Sequence, residues 1–182
     1  MGSVLMDNFP PCEAFTLSEE GGYSDNPRDP GGATNHGITQ ATLSHWRGVP
    51  ASAYDVINLT TAEASAIARA LYWNAMNCAM LPCGVDLMVY DFGFNAGPKN
   101  SIRELQACVG VAQDGAVGPM TALTSKGAGH SLFGMLAVAH ENYYRALDDF
   151  AIFGTDWLAR LARCSATAEA MTADAQRSAA AR

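Results

Sequence analysis

The sequence predicts a mainly α fold, with a small hairpin and loop region near its N-terminus. Three observations carry this. Apolar residues recur at helical spacing through most of the 182 residues. Helix-start and helix-stop residues bracket those stretches at short intervals. Alternating strand patterning is nearly absent, and its best candidate is a short hairpin in the loop after Gly22.

The elements follow in order. Pro10 and Pro11 suit the first turn of a helix that runs to Glu19 or Glu20, with Gly21 or Gly22 in the left-handed position that ends it. Thr39 caps a short helix carrying Leu43 and Trp46. Thr60-Thr61-Ala62-Glu63 reads as a capping box, followed by Ala64, Ile67, Leu71 and Ala75 on one face. The segment Gly84–Asn95, "GVDLMVYDFGFN", is apolar nearly all round and predicts a central helix buried on every side. Gly97-Pro98 opens a helix with Ile102, Leu105 and Val109, stopping at Gly110. Ser131 to Phe153 reads as one long helix with Leu132, Leu136, Tyr143 and Leu147 inward, ended by Gly154. Thr155 or Asp156 caps the next, with Trp157, Leu158 and Leu161. Ser165–Arg182 is Ala-rich and either extends that helix or frays.

Composition narrows the function. A hydrophobic fraction of 49% supports a real core, and a net charge of −7 with scattered Lys and Arg excludes electrostatic binding to nucleic acid or an anionic membrane. No apolar run is long enough to span a bilayer, and the N-terminus lacks the pattern of a signal peptide. The expectation is a protein made in the cytoplasm that needs help to act beyond it. Cys12, Cys78, Cys83, Cys108 and Cys164 are an odd, widely spaced set, so buried free thiols are expected; Cys78 and Cys83 are the pair that could join under oxidising conditions. Neither cysteines nor histidines show metal-site spacing, and no cofactor is expected.

The stretch "SEEGGYSDNPRDPGGATNHGIT", Ser18 to Thr39, carries the chemistry. A carboxylate at a helix C-terminus faces the negative end of the helix dipole. Lys or Arg would serve stability better there. A proton donor gains from that setting, because nothing there favours its charged form. Two consecutive acids point about 100° apart on a helix, so only one of Glu19 and Glu20 faces a given cleft. The glycines let backbone approach a ligand, and Asp25, Asp29, Thr34 and Asn35 are suited to orient a water or a hydroxyl. A calcium loop fails, with Pro27 at its third position and His36 at its twelfth. A phosphate loop fails for want of Gly-Lys-Ser/Thr.

"EGGYSDNPRDPGGATNHGIT" resembles the signature of glycoside hydrolase family 108, N-acetylmuramidases found as phage endolysins and as wall hydrolases tied to secretion. "LYWNAM" at 71–76, "LPCGVDLMVYDFGFNAGP" at 81–98 and "LQACVGVAQDGAVGPMT" at 105–121 resemble three further family segments in the same order. The resemblance covers roughly residues 9 to 164. Phe94 stands where the family usually has Val.

The resemblance implies a lysozyme-like helical domain. It implies a catalytic part over 9–96, a helical peptidoglycan-binding part over 97–164 packed with it as one globular unit, and an Ala-rich tail over 165–182. It makes Glu20, just before Gly-Gly-Tyr, the catalytic acid, with Glu19 a neighbour. A likeness to phage-type lysozymes adds Asp29, nine residues on, and Thr34, fourteen on and one short of that pattern. The second carboxylate would activate water on the far face of the sugar, Asp29 before Asp25, and direct displacement would set it roughly 6.5–9.5 Å from Glu20. Tyr23, Tyr72 and Trp73 are candidates to stack on sugar rings. Asp91 and Asn95 lie one turn apart on the buried helix, and Asp91 needs partners in loop backbone or substrate. Asn95 joins Tyr23, Asp25, Asn35 and Tyr72 as a candidate substrate contact.

The expected activity is therefore cleavage of the β-1,4 bond between N-acetylmuramic acid and N-acetylglucosamine in peptidoglycan glycan strands. The expected setting is a monomeric endolysin, synthesised in the host cytoplasm, released through a holin and acting in the periplasm or cell wall. A lytic transglycosylase and a non-catalytic peptidoglycan-binding phage protein are the alternatives.

Overall fold

A computed structural model of the chain describes residues 7–25 and 32–181. The architecture is mainly α, with one two-stranded antiparallel sheet among the described residues. The described residues divide into two compact units, one over Phe9–Tyr72 and the other from residue 73 onward together with Asp7 and Asn8.

In the first unit, α1 (Phe9–Glu19) opens with Pro10 and Pro11 in its first turn, where missing N–H groups cost nothing. Phe9, Cys12 and Thr16 share its buried face, and the Arg69 guanidinium lies 4.2 Å over the Phe9 ring. Neither Gly21 nor Gly22 adopts the left-handed conformation expected of them. The chain instead runs on to pair Ser24 with Thr34.

The hairpin is β1 (Thr34–Asn35) against β2 (Ile38–Thr39). His36 and Gly37 both have positive φ, 51° and 72°. This is the backbone that a two-residue turn needs to follow strand twist, and Gly37 adopts it without steric penalty. Thr39 then caps α2 (Gln40–Arg47), accepting from Thr42 N. Leu43 is buried as expected, whereas Trp46 is exposed. In α3 (Ala53–Ile57) Ser52 and Asp55 form a reciprocal capping box. Arg47 ties this region together, reaching Asp55 at 3.1 Å and Glu63 at 2.8 Å.

Thr60 caps α4 (Thr61–Ala68) as expected. The helix then widens into a π-helical segment, Arg69–Asn74. The wider turn rotates every later residue relative to a 3.6-residue repeat. Ala75, expected inward, is therefore exposed, while Trp73 and Met76 are buried.

In the second unit, α5 (Val85–Ala96) is the central helix, buried continuously from Val85 to Gly93. It is covered by α6 (Pro98–Cys108), α8 (Ser131–Arg145) and α9 (Phe150–Ala180). Its start needs glycine. Gly84 has φ 86°, and a Cβ there would lie 2.4 Å from the Ala168 carbonyl oxygen on α9. Ser101 of α6 donates 2.6 Å to the Val89 carbonyl. The turn before α7 (Pro119–Ala128) is held by the buried Gln106 amide, which donates 2.7 Å to Asp114 and accepts 2.9 Å from Gly115 N.

Several expectations fail here: Thr155 and Asp156, expected to cap the last helix, both lie inside α9, and Leu147, expected inward, is exposed. The long helix from Ser131 ends at Arg145 and not at Gly154. Asp148 and Asp149 explain the earlier break: acids are unfavourable at the end of α8 and favourable ahead of α9. Gly154 lies inside α9 because the Phe150 ring folds over it, within 2.6 Å of where a Cβ would be. Tyr144, not Tyr143, takes the buried position. Residues from Ser165 to Ala180 continue α9, with Thr172 donating 2.7 Å to the Cys83 carbonyl. All five cysteines are free thiols, Cys12, Cys78 and Cys164 buried.

Candidate active site

Glu20 is the first residue beyond α1 and continues its hydrogen bonding, its N–H donating 3.2 Å to the Thr16 carbonyl. The last turn of α1 holds no basic residue, and the half-buried acid sits at the negative end of the helix dipole. Beyond Gly21-Gly22, Ser24 and Thr34 exchange two backbone hydrogen bonds of 2.8 Å. This closes a loop on the stretch that follows Glu20 and lays it beside the hairpin.

The described candidates fall into distinct roles. Tyr23 is exposed, its hydroxyl 3.4 Å from the Asp25 carboxylate, which is exposed too. Thr34 is half-buried, with its hydroxyl 3.4 Å from the Gly32 carbonyl. Asn35 is buried and spends its amide on α3, donating 3.1 Å to the Val56 carbonyl. Asp29 lies outside the described residues.

Tyr72 stands half-buried on the π-helical segment. Its hydroxyl shares a hydrogen bond with the Thr42 side chain, and it lies within range of the Glu20 charge. Burial raises its phenol above the ordinary value, the Thr42 bond opposes that, and Glu20 adds to it. Thr42 is a residue that sequence reading passed over. Its signal is its position three residues after Thr39, the cap of α2.

Asn95 belongs to the second unit. It is exposed and donates 2.8 Å to the Asp91 carbonyl of its own helix. Asp91 finds a partner in Arg160 of α9, at 2.8 and 3.2 Å. Asp86, unremarked in the sequence, is buried at the start of α5. It accepts 2.7 Å from Asn8 and 2.8 Å each from Gly84 N and Leu87 N, and burial still pushes its carboxyl up to about 6. These bonds brace the helix start. No group of described residues has the donors to hold a metal ion, and no described helix is long and apolar enough to cross a membrane.

A family model described as Glycosyl hydrolase 108 matches residues 14–97, from the middle of α1 to the end of α5. The solved structure titled "Structure of Brucella abortus SagA" superposes with a TM-score of 0.86 at 39% sequence identity, over 91% of this chain and 95% of that one. The chain belongs to glycosyl hydrolase family 108. Among curated proteins, none matches significantly. Family 108 membership makes the chain a glycoside hydrolase with a glycan substrate. The family match takes in Glu20, the hairpin, Tyr72 and the central helix. The departure at Phe94 is a packing change, its half-buried ring lying 6.1 Å from that of Tyr90.

Proposed function

We propose that this family 108 protein hydrolyses the β-1,4 bond between N-acetylmuramic acid and N-acetylglucosamine in peptidoglycan, a lysozyme activity. The observation that carries the proposal is the place of Glu20: an acid at the negative end of α1, whose last turn holds no basic residue, directly before the Gly-Gly-Tyr segment that the hairpin closes back on. Glu20 gives its proton to the glycosidic oxygen as the bond to the sugar C1 breaks. A water adds to C1 and gives its own proton to a carboxylate on the other face, the role proposed for Asp29. Thr34, at the base of that loop, would hold the water. Tyr23 and Asp25 offer an exposed ring and carboxylate to neighbouring sugars.

The proposed setting is a monomeric endolysin that reaches the wall through a holin, with a secretion-linked wall hydrolase as the second setting. A net charge of −7 gives the chain no means of its own to disrupt an anionic membrane. Mass spectrometry of digested peptidoglycan tests the reaction. Hydrolysis yields reducing N-acetylmuramic acid ends, a transglycosylase yields 1,6-anhydro ends, and a binding protein yields neither.

A further inference from the structure

An open trough of about 910 Å³ runs between α6 and α8, both in the second unit. Its lining is mostly apolar, with Met135, Val138, Ala139 and Ala146 from α8 and Cys108 from α6. Two polar groups of α8 join them, the Asn142 amide and Tyr143. The Asn100 amide of α6 donates 3.3 Å to the Tyr143 hydroxyl, which keeps its own hydrogen to give.

Glu104 is the one charged residue among the described residues that line the trough. No described cation answers it. Lys99 and Arg103 of the same helix lie beside Gly115. Arg145 of α8 is held by Glu141 at 2.7 Å and covers the Phe150 ring. Burial raises the Glu104 carboxyl above the usual carboxylate range, with no neighbouring charge or hydrogen bond to bring it down. An unpaired acid in an apolar trough is a poor choice for stability. A cationic ligand would supply the missing partner through a charge-assisted hydrogen bond.

Size selects among cationic ligands. The lining residues of α8 run from Ser131 to Ala146, which is about 22 Å of helix. The volume spread over that length leaves a channel roughly 6–7 Å across. A helix with its side chains needs about 10–12 Å and does not fit. An extended chain does, since extended strands lie side by side at about 4.8 Å.

We infer that this trough holds a short extended peptide with small side chains and a free side-chain amine, the peptide stem of the peptidoglycan substrate, with Glu104 accepting from its ammonium group. The inference rests on the peptidoglycan reading above. It adds which chemical group of that polymer is recognised, and by which residue. Alanine methyls in the stem suit a channel this narrow. The diamino acid, lysine or diaminopimelate, carries the amine, and a stem that is not cross-linked leaves it free. The Tyr143 hydroxyl and the Asn142 amide are placed to meet peptide carbonyl and N–H groups.

The trough carries its own reporter, the half-buried Cys108 thiol. The full chain is treated with iodoacetamide, and modification of each cysteine is followed by mass spectrometry, with affinities from calorimetry. The probes are synthetic stems, L-Ala–γ-D-Glu–L-Lys–D-Ala and its diaminopimelate counterpart, and each of these with the side-chain amine acetylated. A lysine- and leucine-rich amphipathic helical peptide is the comparison. At saturation a free-amine stem should slow Cys108 modification roughly 10-fold and leave Cys83, also half-buried, unchanged. Acetylation should weaken binding roughly 10-fold or more, the range for losing a charge-assisted bond. Glu104→Gln should bind free and acetylated stems alike, both weakly, at an unchanged melting temperature. Should Glu104→Gln fail to fold, the acetylated stems decide on wild type alone. Equal binding of free and acetylated stems by wild type overturns the inference. So does binding that leaves Cys108 unprotected, or protection by the helical peptide and by no stem, which would mark a docking site for another protein. Unprotected Cys108 beside normal release of reducing ends from peptidoglycan sinks this inference and leaves the hydrolase reading standing. Amine-dependent protection without any reducing ends keeps the stem site and sinks the hydrolase reading.

Discussion

Arg160 of α9 clasps Asp91 of the central helix through two nitrogens, at 2.8 and 3.2 Å, with only 12% and 5% of their side chains exposed. The pair links residues 69 positions apart and pins α9 to α5. An ion pair of this burial is valuable mainly because each charge is ruinous without the other. Arg160→Met should therefore destabilise the protein by about 3–5 kcal/mol. Asp91→Asn combined with Arg160→Met should recover part of that loss. Urea unfolding of the single and double variants measures both. Equal stability of wild type and Arg160→Met would show that the pair is not a clamp.

Two buried groups give opposite pH dependences. His140 is stacked 3.8 Å from Phe92, its Nε2 finds no partner among the described residues, and burial holds its ring neutral down to about 3. The unfolded chain takes up that proton near 6.5. His140 thus contributes stability that is full above about 6.5 and is lost as pH falls toward 3. Asp86 works the other way. Its folded value of about 6 exceeds the unfolded one, so the folded state binds the extra proton and stability falls as pH rises from about 4 to 6. Between pH 4 and 6 the two slopes cancel in part. Asp86→Asn should unmask the histidine slope, raising stability by about 1.4 kcal/mol for each pH unit relative to wild type over that range. Asn can still accept from Gly84 N and Leu87 N, and the Asn8 amide can turn to accept from it. Urea midpoints at pH 4.5, 5.5 and 6.5 decide the matter. A variant whose midpoints track wild type at all three would refute it.

Much of this fold could be read from the chain because its signals are local. Thr39 and Thr60 cap the helices they were expected to cap, and the apolar run from Val85 to Gly93 is the buried central helix. The hairpin lies in the loop after Gly22, as its composition implied. The place of Glu20 at the end of α1 was also legible, since Gly21-Gly22 follow it directly. What escaped was not local. A 3.6-residue repeat cannot show the wider turn at Arg69–Asn74, so Ala75 was placed inside. The partner of Asp91 lies on a distant helix, and nothing near Asp91 announces Arg160. The amide of Asn35 serves the end of α3, 21 residues on, and not an obvious ligand.

The loop acid offers a separate prediction. If Asp29 takes the proton from the attacking water, Asp29→Asn should lower the hydrolysis rate by about two to four orders of magnitude, the range for losing a general base. It should change stability little, because Asn and Asp share the same local side-chain-to-backbone bonding preferences. The comparison is made at saturating glycan, with melting temperatures as control. A rate within a factor of about two of wild type would remove Asp29 from the mechanism and pass the role to Asp25.

The central claim is that the carboxyl of Glu20 is the proton donor. The most direct measurement counts new reducing ends released from purified peptidoglycan by wild type, Glu19→Gln and Glu20→Gln. Neutralising an acid at the negative end of α1 should leave melting unchanged or slightly improved. Wild type and Glu19→Gln should release reducing N-acetylmuramic acid ends at comparable rates, and folded Glu20→Gln should release almost none. Reducing ends from Glu20→Gln at the wild-type rate, or their loss in Glu19→Gln alone, would contradict the account.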